Sequence, residues 1–302
     1  MKSRSNSLRR CRPLLGTLVD ISVTGGTAAQ RARAIEDGFR AVGEVHALMS
    51  FHEAHSNVSR LNREALHRAV EVDARTWTVL DTARRVSEAS NGGFDLTVAS
   101  LLVEWGLLPT TGDHACVDAT ACWRDIELLD RHRVSFTRPL RIDLGGIAKG
   151  FAVDQAIDAI RAAGVEAACV NAGGDLRVWG DAAEPLYVRH PYFKSELIDA
   201  GWLRDEAAAT SSDTATRERR AADWISPHVH PGRRCACDRL ASVTVRAPSC
   251  MIADALAKVV LCDPERAIEV LAQFGASALV VDCEGAVRAT RSDFVSAAGA
   301  VA

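Results

Sequence analysis

Residues 143–175 read DLGGIAKGFAVDQAIDAIRAAGVEAACVNAGGD, and this stretch decides the reading of the chain. An apolar segment ends in Gly145-Gly146 and opens a helix in which Val153, Ile157 and Ile160 recur at helical spacing. Gly164 stops that helix, and VEAACVNAGGD returns as a buried strand closed by a second glycine pair, Gly173-Gly174. Glycine pairs let a ligand come close to the main chain, and a helix N-terminus favours an anion. Lys149 adds a point charge in the first turn. Asp143 offers a carboxylate for a hydroxyl, an amine or a metal-bound water. The stretch is not a P-loop, because Phe151 rather than lysine follows Gly150, and it is not GxGxxG, because its first two glycines are adjacent. Its own chemistry defines an anion-friendly turn, which an ordinary tight turn would also satisfy.

Two other constellations widen the picture. On SCMIADALAKVVL, residues 249–261, Asp254 and Lys258 stand four apart. Such a pair is usually a surface ion pair contributing about 0.3–0.5 kcal/mol. Here the flanking residues are Ala and Val, and only four of the 36 basic residues in the chain are lysines, so a generic surface partner would be arginine. The alternative is a buried carboxylate held for a divalent cation with a lysine beside it. At residues 92–97, GGFDLT, a turn ending in Gly92-Gly93 throws Phe94 and Asp95 onto a new segment, where Phe94 offers an aromatic face and Asp95 a hydrogen-bond acceptor. A core phenylalanine beside a capping aspartate reads the same way.

Outward from these motifs, residues 16–23 alternate like a half-buried strand, and Ile35, Phe39, Val42, Val45 and Met49 mark a helix. Ser56 and Asp73 are placed to cap two further helices. Residues 133–144 predict strands broken at Pro139, the second being LRIDLGG. Residues 181–239 predict short strands at best. From Leu240 the pattern is strand, two helices and two strands. The expected class is α+β (mixed α/β), with largely antiparallel sheets and flanking helices. No linker composition divides the chain, so one domain over 13–302 is expected, with room for two lobes, behind a disordered basic tail at 1–12.

Composition narrows the partners. The 302 residues are 48% hydrophobic and 25% charged with net charge −3, so an ordinary core is available and neither nucleic acid nor an anionic membrane is indicated. No signal-peptide core and no membrane anchor is expected, which makes the cytoplasm the expected location. Nine scattered cysteines without a CxxC pair point to reduced, mostly buried thiols rather than disulfides or zinc.

The order of motifs resembles the ApbE-type FAD:protein FMN transferases across roughly residues 13–290. LLGTLVDI (14–21), MSFHEAHSNVSRLN (49–62), GGFDLTVASLLVEWG (92–106), DLGGIAKGFAVD (143–154), VNAGGDL (170–176) and ASVTVRAPSCMIADALAKVV (241–260) carry it. The resemblance implies a mechanism in which Mg²⁺ grips the FAD pyrophosphate. A Ser/Thr hydroxyl of an acceptor flavoprotein attacks the FMN phosphorus, and AMP leaves. By motif, Leu15, His52, Gly93, Phe94, Asp95, Asp143 and Lys149 would contact FAD, and the Gly146 carbonyl and Asp254 would hold the metal. Lys258 stands where the family has a metal-ligating Thr, His230-Pro231 where it has Asp-Pro, and Thr210-Ser211-Ser212 where it has Thr-Ser-Gly. Leu15 replaces a usual Met and His52 a usual aromatic residue. Three outcomes follow: an FMN transferase, an FAD-binding family member with little transferase activity, or an FAD pyrophosphatase.

Overall fold

The computed structural model describes residues 6–110, 117–181, 183–193, 195–212, 217–220, 223–291 and 294. Its centre is an eight-stranded sheet of β1 (Ser7–Leu14), β2 (Thr17–Thr24), β3 (Ala167–Ala172), β4 (Asp175–Gly180), β5 (Ala207–Ser212), β6 (Leu240–Ala247), β7 (Ser277–Asp282) and β8 (Val287–Ala289), in that spatial order. Every neighbouring pair is antiparallel. Seven α-helices occur among the described residues: α1 (Ala28–Met49), α2 (Asn57–Glu64), α3 (Ala74–Ala89), α4 (Ala99–Glu104), α5 (Ala148–Ala162), α6 (Cys250–Cys262) and α7 (Pro264–Gln273). The expected α+β class with antiparallel sheets is what forms.

Strand alternation divides the sheet into two buried faces. In β5, Ala207 and Ala209 enter the core beneath α1, α5 and α6, while Ala208 points to the other side. In β7, Ala278 faces the helices, whereas Leu279 and Val281 join Val178 against a hairpin of Ala183–Arg189 and Leu197–Arg204. That hairpin buries Leu186, Val188, Ala200 and Leu203 and leaves its alternate residues in solvent. It lies in the region expected to hold only short strands. Its strands are seven and eight residues long, and their half-polar alternation hides them from a search for apolar runs.

The helix starts are capped as their sequences dictate. Thr27 and Gln30 form a reciprocal capping box on α1, and Ser56 and Asp73 cap α2 and α3 as expected. Ser249 caps α6, and Asp263 followed by Pro264 starts α7.

Two expectations are corrected. Residues 7–12 are not a disordered tail but most of β1, because the arginines that suggested a solvated segment are consumed in ion pairs. Arg9 donates to Asp20 across the strand pair at 2.8 Å, and Arg10 and Arg12 both reach Glu36 on α1. Residues 1–5 lie outside the described residues. The expected strand at 140–144 pairs with no strand among the described residues. Asn62 replaces the missing neighbour, accepting from the Ile142 N–H at 2.8 Å and donating to its carbonyl at 3.0 Å.

The thiols are less uniformly buried than expected. Cys237, Cys250 and Cys262 are buried, but Cys11, Cys235 and Cys283 are exposed, and Cys116 lies outside the described residues.

Candidate active site

The two glycine turns of residues 143–175 meet at the floor of one cavity of about 1190 Å³. That volume exceeds an ordinary small-molecule pocket and suits a dinucleotide. Gly145, Gly146 and Lys149 enter from the start of α5, Gly173 and Gly174 from the β3–β4 turn, and Lys258 from α6. The opposite walls come from Phe94 and Leu102, from residues 187–191 at the end of the Ala183–Arg189 strand, and from Pro227, His228 and Val229.

Close helix contact makes this convergence possible. A Cβ on Gly150 would stand 2.2 Å from the Cys250 carbonyl oxygen, so glycine is required where α5 crosses α6. Asp154 on α5 accepts the Cys250 and Met251 amides at 2.9 Å each, holding the N-terminus of α6 against α5. Ile147, at the start of α5, supplies no side-chain cap. The Gly150 amide instead donates to Asp254 at 3.0 Å.

Four charged groups sit together at this junction. Lys149 donates to Asp175 at 2.5 Å, and Lys258 donates to Asp254. Both carboxylates are buried, and the Asp175 Oδ1 has no hydrogen-bond partner. Burial and the neighbouring Asp254 charge push the Asp175 carboxyl up to about 6, against the pull of Lys149. Burial also works on Asp254, but Lys258, Lys149 and the Gly150 amide outweigh it and hold that carboxyl below its usual range. Burial disfavours the Lys149 ammonium, but Asp254 and Asp175 more than compensate and raise it above its ordinary value. Each ammonium has three N–H donors and spends one on its carboxylate, leaving the others for a ligand. His228 is held neutral. Burial, then the charges of Lys258 and Lys149, push its imidazole down to about 3.

The expected site residues divide into two groups. Gly93, Phe94, Asp95, Asp143, Gly146, Lys149 and Lys258 all line the cavity. Asp254 stands behind Lys258, fully buried. Asp95 is already occupied: it accepts from the Thr97 amide and hydroxyl at 2.8 Å each and from the Trp123 amide at 3.1 Å. The capping reading therefore holds for it. Asp143 accepts from Gly145 at 3.0 Å, and burial raises its carboxyl. Leu15 and His52 are not among the cavity-lining residues. Leu15 occupies the β1–β2 turn with φ 55° and packs on the core, and His52 is exposed, near enough to lower the Asp143 carboxyl. Asp175, His228 and Tyr187 were missed as site residues. Asp175 could have been found as the acid closing the second glycine turn, but nothing local marks the other two.

Mg²⁺ was expected on Gly146 and Asp254. The residues present do not fit a divalent cation, because both Asp254 oxygens are taken by protein donors and one of those donors is an ammonium. Among the described residues no group of three or more His, Cys, Asp or Glu side chains could hold a metal ion.

Among the described residues the fold is a layered α+β architecture with a dinucleotide-sized cavity floored by two lysines. The sequence pattern of the ApbE family matches residues 15–281, and the chain belongs to that family. The FAD:protein FMN transferase of Vibrio cholerae is 29% identical over 264 residues, covering 81% of this chain and 78% of the relative. That of Haemophilus influenzae is 26% identical, covering 75% and 72%. The crystal structure of the ApbE protein from Thermotoga maritima superposes with a TM-score of 0.83 at 27% identity, covering 93% of this chain and 96% of that one. A mutant of the Vibrio cholerae flavin transferase ApbE superposes at 0.81 with 26% identity, covering 96% and 99%. No helix among the described residues is long and apolar enough to cross a membrane.

Proposed function

We propose that this chain is an FAD:protein FMN transferase acting in the cytoplasm. FMN passes from FAD to a Ser/Thr hydroxyl of an acceptor flavoprotein, and AMP is released. The observation that carries this reading is the pair of lysines, Lys149 and Lys258, set between two glycine turns on the floor of a dinucleotide-sized cavity. Phosphoryl transfer depends mostly on positioning and charge neutralisation, and these groups supply both.

In this reading the pyrophosphate lies over Gly145-Gly146 and Gly173-Gly174, with remaining N–H donors of Lys149 and Lys258 on its oxygens. Phe94 flanks the flavin ring. The acceptor oxygen forms a bond to the FMN phosphorus as the anhydride bond to AMP breaks, and AMP leaves with the bridging oxygen. The hydroxyl proton passes to His228, which is neutral at rest. Burial depresses its basicity most, and the negative charge of bound pyrophosphate offsets the lysine charges that depress it further. Lys258 supplies fixed positive charge where the family resemblance implied Mg²⁺, and no step of this account runs through a metal.

The test is incubation with FAD and an acceptor flavoprotein bearing an exposed Ser/Thr. Flavin fluorescence retained by the denatured acceptor supports transfer. Free FMN and AMP would instead identify a pyrophosphatase. FAD that binds without reacting would identify a binding protein.

A further inference from the structure

Outside the charge cluster, a close contact between two sulfurs joins α6 to the segment after a neighbouring hairpin. The Cys262 and Cys237 sulfurs stand 2.7 Å apart, and both residues are buried. Cys262 ends α6, and Cys237 follows the small hairpin of Val229–His230 and Cys235–Ala236. The same helix end grips the hairpin once more, and the hairpin is closed by a bond of its own. The Cys262 thiol donates to the Val229 carbonyl at 3.2 Å, and the Cys237 amide donates to the His228 carbonyl at 2.9 Å.

The position of the pair gives it a consequence. Asp254, Lys258 and Cys262 are spaced four apart, so they lie on one stripe of α6. Lys258 and Cys262 both line the cavity, as do Pro227, His228, Val229 and Pro231 of the facing segment. A bond between the two sulfurs would fix that wall of the cavity to the helix carrying the lysine. Cys262 is the sulfur a small polar oxidant can reach, because it faces the cavity while Cys237 is behind it.

We propose that Cys237 and Cys262 form a dithiol site for a peroxide, reached through the cavity and closed as a disulfide that pins the residue 227–237 wall to α6. The Cys262 sulfur attacks one peroxide oxygen, the O–O bond breaks, and water leaves with Cys262 as a sulfenic acid. The Cys237 sulfur then attacks the Cys262 sulfur, the S–O bond breaks, and a second water leaves. Two thiols are oxidised by two electrons in all, and one hydrogen peroxide is reduced to two waters. A dithiol reductant reverses the bond by exchange.

The experiment treats the full chain with hydrogen peroxide, alkylates the remaining thiols and maps peptides without reduction. The expected result is joint loss of alkylation at Cys237 and Cys262, with one peptide linking them that dithiothreitol removes. In Cys237→Ser the reaction halts at the sulfenic acid, so a dione trap labels Cys262. The proposal is overturned if both thiols stay alkylatable while exposed Cys11 oxidises, if Cys262 links to another cysteine, or if the trap leaves Cys262 unlabelled in the variant. A final arm rests on the FAD reading: FAD in the cavity slows formation of the link. A link that forms at the same rate with saturating FAD supports the dithiol and counts against FAD in this cavity.

Discussion

The Lys258 ammonium is seated on the Asp254 carboxylate one helical turn away, and the other oxygen of that carboxylate takes the Gly150 amide from α5. The lysine thereby fills the place at which a cation would meet the protein. Replacing it should expose an oxygen of Asp254 to solvent cations. Lys258→Thr is expected to bind Mg²⁺ at least about tenfold more tightly than the parent by calorimetry, and its FMN transfer should become dependent on Mg²⁺. Equal Mg²⁺ affinity in the two proteins would refute this role for Lys258.

Asp175 should make the proposed FAD binding depend on pH. Its carboxyl titrates at about 6, and protonation removes a negative charge beside the bound pyrophosphate. Affinity for FAD should therefore rise as pH falls through about 6 and level off below it. Asp175→Asn should bind FAD more tightly than the parent at pH about 8 and lose this dependence. Fluorescence titration of FAD across pH checks both, and an unchanged profile in the variant would assign the dependence elsewhere.

His228 should act on stability in the opposite direction. Its imidazole titrates at about 3 when folded against 6.5 ordinarily, so the unfolded chain binds the extra proton between those values. Stability from this group is thus lost as pH falls from 6.5 toward 3, by at most about 1.4 kcal/mol per unit. Asp175 opposes it: its folded value near 6 exceeds the ordinary 3.8, so its destabilising charge disappears on acidification. Denaturant unfolding of His228→Gln should show the variant gaining on the parent between pH about 7 and 4.5. A constant difference across that range would contradict the assignment.

Gly150 is a packing requirement. With the Cys250 carbonyl 2.2 Å from any Cβ, Gly150→Ala must push α5 off α6 and pull Asp254 away from its amide. A loss of about 1–3 kcal/mol is expected, seen as a lower midpoint in thermal unfolding. A variant as stable as the parent would mean the two helices separate at little cost.

Much of this was legible from residues close in sequence. The helix α5 between its glycine pairs, the caps Ser56 and Asp73, and the Asp254–Lys258 pairing all follow from local spacing. What local spacing cannot carry is a partner supplied from far along the chain. The strandlike 140–144 segment is satisfied by Asn62, the basic N-terminus by Asp20 and Glu36, and Lys149 by Asp175. The cavity wall from 183–204 and 227–231 was illegible for a related reason. Its strands alternate between a small second core and water, and no residue in them announces a ligand.

The most direct measurement is FMN transfer from FAD to an acceptor flavoprotein, run in parallel with Mg²⁺ and with a chelator. The account predicts flavin fluorescence on the denatured acceptor in both samples, AMP in equal amount, and loss of both in Lys149→Ala. An acceptor that stays unlabelled under every condition would contradict the transferase reading, and labelling abolished by the chelator would contradict the role given to Lys258.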